Sequence, residues 1–171
     1  MTRARAAVLL EKITRIIPGI AGYQDREKRR DADKAIRSKA AEKVSRCRDL
    51  LSETMNDLSR SGGPGNLRLI GDLERMVTKL DRTEDELRFV PSGYAGWFDR
   101  EGISLEDLER LYEYDLGLLS AAETLLECFG EAVHVEAIDH WTSCVEEALR
   151  DLWNAFEGRK SVMEGREDNG E

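Results

Sequence analysis

An all-α fold, an antiparallel helical bundle of about five helices built around one long helix, is what this 171-residue sequence predicts. Three observations carry that reading. Apolar residues recur at steps of three and four, and no segment alternates with period two. Only Pro18, Pro64 and Pro91 interrupt the chain as prolines. Charged residues reach 36% beside 40% apolar, a balance that suits long solvated helices. The length fits one domain with a real core. It is expected over residues 1–158, with residues 159–171, polar and following Gly158, as a disordered C-terminal tail.

The first helix is expected from Arg3 to Ile17, where Ala6, Leu9, Leu10, Ile13, Ile16 and Ile17 form one stripe that Pro18 and Gly19 end. The long helix is expected over roughly 25–60, with Asp25 as its cap. Ala32, Ile36, Ala40, Val44, Cys47, Leu51, Met55 and Leu58 keep helical spacing through it without a glycine or proline. About 36 residues at 1.5 Å each make a rod of roughly 54 Å. Its stripe is thin at first, where alanines dominate, and heavier after Val44.

The stretch SGGPGN at 61–66 breaks the chain. A third helix follows, with Leu67, Ile70, Leu73, Val77, Leu80 and Leu87 on one side, ending before Pro91. Residues 91–104 read as a loop with three glycines and three aromatics, after which Ser104 caps a fourth helix. Leu105, Leu108, Leu111, Tyr112, Leu119, Ala122, Leu126 and Phe129 form its face, and Gly130 stops it. Ala137, Ile138, Trp141, Val145, Leu149, Leu152 and Phe156 carry a fifth. Short connections make neighbouring helices antiparallel.

One short pattern occurs twice. AGYQDRE runs from Ala21 to Glu27 and AGWFDRE from Ala95 to Glu101, with Tyr23 answered by Trp97. The flanks show no further similarity, so the echo reads as one local solution used twice. Glycines let the backbone turn, and Tyr23, Tyr94 and Trp97 are candidate loop aromatics that plug the corner against the bundle.

The longer stretches around these echoes are IPGIAGYQDREKRRDADKAIR (Ile17–Arg37) and GYAGWFDREGISLEDLERLYEYDLGLL (Gly93–Leu119). They resemble the signatures of a family of uncharacterised prokaryotic all-helical proteins. The resemblance implies a small helical protein with recurrent features at both turns. It brings no activity, catalytic residue or substrate with it.

Charge is unevenly distributed. Residues 1–48 hold 14 Lys/Arg and 6 Asp/Glu, a net of +8, and the remainder brings the whole chain to −9. The densest basic stretch runs from Arg26 to Arg48, where Arg26, Arg29, Arg30, Lys34 and Arg37 are candidate interaction residues. Such a face can contact phosphates, lie on an anionic membrane, or answer acidic surface of its own chain or a partner. Interspersed acids, the acidic remainder and the lack of stacking aromatics favour the last.

Reactive constellations are sparse. Glu131 and His134 form an E-x-x-H pair, but a di-iron bundle needs a second such pair, and Ala137 stands three before His140. No metal, cofactor or catalytic residue is therefore expected. Cys47, Cys128 and Cys144 are odd in number and unpaired in sequence, and read as buried thiols rather than a disulfide framework. Asp115, within LYEYDLGLL, is turned by helical spacing toward the apolar face. A buried carboxylate needs a partner, and a salt bridge to an arginine of the basic helix outweighs a general acid or base.

The function these features favour is a non-enzymatic interaction or scaffold protein acting through self-association or docking on a protein partner. Nucleic-acid or anionic-membrane binding through 26–48 is the alternative, and a small-molecule site near Asp115 a second. Glu11 and Lys12 interrupt the first apolar run, and nothing reaches the length of a membrane span, so a cytoplasmic setting is expected.

Overall fold

The computed structural model describes residues 3–89, 95–130 and 138–165. Its helices are α1 (Arg3–Ile16), α2 (Arg29–Ser61), α3 (Pro64–Arg88), α4 (Ala95–Phe98), α5 (Leu105–Cys128) and α6 (Ile138–Glu164). No strand occurs among the described residues.

The helix ends follow from local chemistry. Asp25 accepts a hydrogen bond from the Glu27 N–H at 3.1 Å and opens a 3₁₀ turn, Arg26–Lys28, that leads into α2. After α2, the Asn66 side chain donates to the carbonyls of Gly62 and Leu58, the latter also accepting from the Gly62 N–H and the Ser61 hydroxyl. Pro64 then occupies the first turn of α3, where its missing N–H is no loss. Ser104 caps α5 by accepting from the Asp107 N–H at 3.0 Å.

Two expectations are corrected by the faces these helices bury. On α3 the buried row is Leu69, Leu73, Met76, Leu80, Thr83 and Leu87, alternating steps of four and three, while Leu67 is 74% exposed. The second correction concerns the tail expected after Gly158. Helix α6 continues to Glu164, and Arg159, Val162 and Met163 are buried. The stripe Leu149, Leu152, Phe156 runs on to Arg159 and Met163 at the same spacing, so the helix has reason to continue. Gly158 is a packing residue, because a Cβ there would overlap the Tyr114 ring.

α2 and α5 are the inner helices and run parallel, as the Lys43–Glu123 pair and the joint approach of Asp33 and Asp115 to Arg159 require. α3 returns antiparallel along α2, with Arg37 at the Leu87 carbonyl and Arg48 at Glu84. α6 returns antiparallel along α5, and α1 packs on α5. Three sides of the four-helix arrangement are closed, namely α2–α3, α2–α5 and α5–α6. The apolar core runs through all the long helices, from Ala6 to Met163.

Cys128 and Cys144 are joined in a disulfide, with Cα atoms 6.4 Å apart, which corrects the reading of three buried thiols. The hairpin of α5 and α6 brings together two residues 16 apart in sequence. Cys47 alone is free and buried, and burial pushes its thiol up to about 12. Among the described residues no helix is long and apolar enough to cross a membrane.

Candidate functional site

Arg159 is the centre of a buried polar cluster. It is 1% exposed. Its Nε donates to Asp115 Oδ1 at 2.5 Å, and its Nη2 donates to Asp33 Oδ1 at 2.7 Å and to the Tyr23 hydroxyl at 2.8 Å. The other oxygen of Asp33 accepts from Arg37, Nε at 3.0 Å and Nη2 at 2.8 Å. Arg37 spends its Nη1 on the carbonyls of Leu87 and Arg88, at the end of α3. Two arginines thus face two aspartates, drawn from α2, α5 and α6.

The two echoed stretches meet here. The Tyr23 and Trp97 rings lie edge to face at 5.5 Å, and Tyr23 also stacks on Tyr112 at 5.6 Å. Arg29 ties both loops together. Its Nε donates to the Tyr23 carbonyl at 2.8 Å, its Nη1 reaches the Phe98 and Arg100 carbonyls, and its guanidinium lies 5.8 Å from the Trp97 ring centre. The backbones nevertheless differ, with the first copy entering a 3₁₀ turn and the second forming the single turn α4. Gly22 has φ +71°, and a Cβ there would meet the Tyr112 hydroxyl, whereas at Gly96 the same addition meets nothing. The Tyr112 hydroxyl accepts from the Tyr23 N–H at 3.1 Å, which explains the close approach at Gly22.

The electrostatics of the two carboxylates diverge. Burial raises the Asp115 carboxyl above its ordinary value, against the opposing charge and hydrogen bond of Arg159. Its Oδ2 finds no donor among the described residues. Asp33 is buried too, but Arg159 and Arg37 together outweigh that burial and hold it below the usual range. Burial likewise drives the Tyr23 phenol up, so it stays a neutral hydroxyl. Arg159 is held in its charged form because the Asp115 and Asp33 carboxylates overcome the penalty of burial.

The sequence places Asp115 correctly on the buried face, but its arginine comes from α6 rather than from the basic helix, which contributes Asp33 and Arg37 instead. Of the candidate interaction residues, Arg29 and Arg37 are buried, at 3% and 5% exposure. Arg30 is exposed, pairs with Asp99 at 3.2 Å and lies over the Phe98 ring. Arg26 and Lys34 are exposed and make no ion pair among the described residues. Tyr23 and Trp97 are buried in the corner, and Tyr94 lies outside the described residues. So do Glu131 and His134, while His140 is exposed. No group of three or more metal-ligating side chains occurs among the described residues.

Sequence reasoning missed Arg159 and Asp33, and took Arg37 for a surface residue. The signals were present. Asp33 and Arg37 stand four apart beside the Ala32–Ile36–Ala40 stripe, and Arg159 falls on the extended stripe of α6. The cluster also fits the uneven charge of the chain. Arg5 pairs with Glu113, Lys43 with Glu123, and Arg48 with Asp81 and Glu84, so part of the basic third is answered by the acidic remainder. Comparisons with protein-family models, curated proteins and solved structures find no match to this chain.

Proposed function

We propose that this protein is a non-enzymatic interaction or scaffold protein, a rigid helical body that presents charged surface to another macromolecule. The observation that carries the reading is the enclosure of its most chemically loaded residues. Asp115, Asp33 and Arg159 are each at most 1% exposed and are held by one another. A general acid or base must reach a substrate proton, and Asp115 faces an arginine instead. A buried ion cluster of this kind supports conformational uniqueness rather than turnover.

Burial of Arg29 and Arg37 removes two of the five basic residues that a phosphate-binding face would use, which favours a protein partner over a polyanion. The Cys128–Cys144 bond is of a kind that persists mainly in oxidising compartments, which runs against the cytoplasmic setting expected from the sequence.

Sedimentation at low and high salt, combined with cross-linking in cells through surface lysines, tests this reading. Links to another polypeptide or to a second copy, weakened by salt, are expected. A chain that stays monomeric at both salts and links only within itself overturns it.

A further inference from the structure

Among the described residues, the α3–α6 side is the most loosely packed side of the bundle. Each of these helices packs extensively on one inner neighbour, and a groove runs between them as two joined cavities of about 670 and 460 Å³ that share Lys79 and Glu146. Residues 72–79 face 138–146, and 79–86 face 146–157, so the two helices run parallel along the groove. Leu149 and the half-buried Trp153 give it an apolar wall.

The two rims differ in sign. The α3 rim presents Arg75, Lys79 and Arg82 between Asp72 and Glu86. The α6 rim presents Asp139, Glu146 and Glu157, with Arg150 the one base. These charges now pair within the chain: Lys79 with Glu146 at 2.6 Å across the groove, Arg75 with Asp72, and Arg82 with Glu86 at 3.5 Å. All six side chains are 45% exposed or more. Pairs this exposed contribute about 0–1 kcal/mol each and exchange partners readily.

A surface with a basic rim parallel to an acidic rim is complementary to itself. A twofold axis running along the groove exchanges the helices without reversing them, so the α3 of one copy lies parallel on the α6 of the other at the same level, twice over. Basic then meets acidic at both contacts. We propose that the α3–α6 groove is the interface of a twofold homodimer, seated on Trp153 and held by the Lys79/Arg82 rim of each copy against the Glu146/Glu157 rim of the other. This rests on the interaction reading above and names its surface and its occupant. Tryptophan and arginine are the residue types that most often dominate such interfaces.

A charge exchange tests it. The double variant Lys79→Glu/Arg82→Glu and the double variant Glu146→Lys/Glu157→Lys each set like charges against each other in a homodimer. Each alone is expected to weaken dimerisation at least tenfold in sedimentation at low salt. An equimolar mixture is expected to restore the dimer, because both contacts then regain opposite signs. Carbodiimide cross-linking of the native chain, mixed from light and ¹⁵N-labelled protein, gives a second measure that needs no variant. Mixed-label links from Lys79 to Glu146 or Glu157 are expected. A native chain that is monomeric at low salt, double variants that dimerise as the native chain does, a mixture that stays monomeric, or the absence of mixed-label links at these residues overturns the proposal. Cross-links to a different polypeptide alongside a monomeric chain would overturn the dimer while leaving the broader interaction reading intact.

Discussion

Two stretches of α2 bury the same inner face by opposite means. Residues 29–37 carry Arg29, Asp33 and Arg37 into the interior, while residues 40–51 bury only Ala40, Ala41, Val44, Cys47 and Leu51. The apolar stretch gains from removing area from water, a non-directional term that tolerates neighbours of similar volume. The ionic stretch is different in kind. Each charge there is acceptable only because partners stand at hydrogen-bond distance: loop carbonyls for Arg29, the end of α3 and Asp33 for Arg37, and Arg159 of α6 for Asp33. Geometry therefore has to be right in several elements at once. The first region gives the bundle its cohesion, and the second fixes which helix meets which and in what register.

The largest effect separates the two most clearly. Arg159→Ala leaves Asp115 and Asp33 without their common cation, and a loss of about 3–5 kcal/mol in urea unfolding is expected. Replacing the pair together, as Arg159→Met with Asp115→Leu, should recover most of that loss, since an apolar isostere of a buried pair is often neutral or better. A double variant as unstable as Arg159→Ala would mean the cluster contributes more than paired burial. In the apolar stretch, Leu51→Ala is expected to lose about 2–4 kcal/mol through its cavity, with no neighbouring substitution of different polarity able to restore it. Tyr23→Phe removes one hydrogen bond to a charged donor and should lower stability by about 1.5 kcal/mol. An unchanged midpoint would show that Tyr23 acts through its ring alone.

Acid divides the ionic region further. Asp33 is held low, so the stability its ionised form lends is present above about pH 4 and is lost as pH falls through its depressed value. Asp115 has the opposite sign. Its carboxyl is raised, so the folded chain takes up that proton first, and stability rises as pH falls from the raised value toward about pH 4. Asp115→Asn should abolish that rise and keep the loss at lower pH. Urea midpoints followed from about pH 7 to about pH 3 read both, and a rise that survives in the variant would break the assignment to Asp115. The smallest effect belongs at the surface: Lys34→Ala is expected to stay within about 0.5 kcal/mol of the native chain, the sharpest contrast with Arg37 one turn away.

Some of this was legible from the linear chain. The helical spacing locates every long helix, Ser104 caps its helix as expected, and Asp115 lies on a buried face. Asp25, however, caps the 3₁₀ turn ahead of α2 rather than α2 itself, which begins at Arg29 without a side-chain cap. Other readings failed for identifiable reasons. Glycine is ambiguous, and Gly158 was read as a stop because its conformational freedom is local information, whereas its tight contact with Tyr114 is not. Arg159 looks like the start of a polar tail until the α6 stripe is followed one turn further. The basic run from Arg26 to Arg48 reads as a surface that answers acidic surface, but the burial of Arg29 and Arg37 is not legible in it, because an arginine's burial depends on acceptors supplied elsewhere in the chain.

Periodicity and turn chemistry, properties of a few neighbouring residues, were enough for this sequence to determine its helices, its caps and the segregation of its charge. The tertiary structure alone decided that Arg159 would join Asp115, Asp33 and Tyr23, that Cys128 would meet Cys144, and that the two echoed loops would share Arg29. Those partners lie up to 136 positions apart. Which distant groups neutralise one another depends on how whole helices pack, and that choice is made by the sum of contacts along their length.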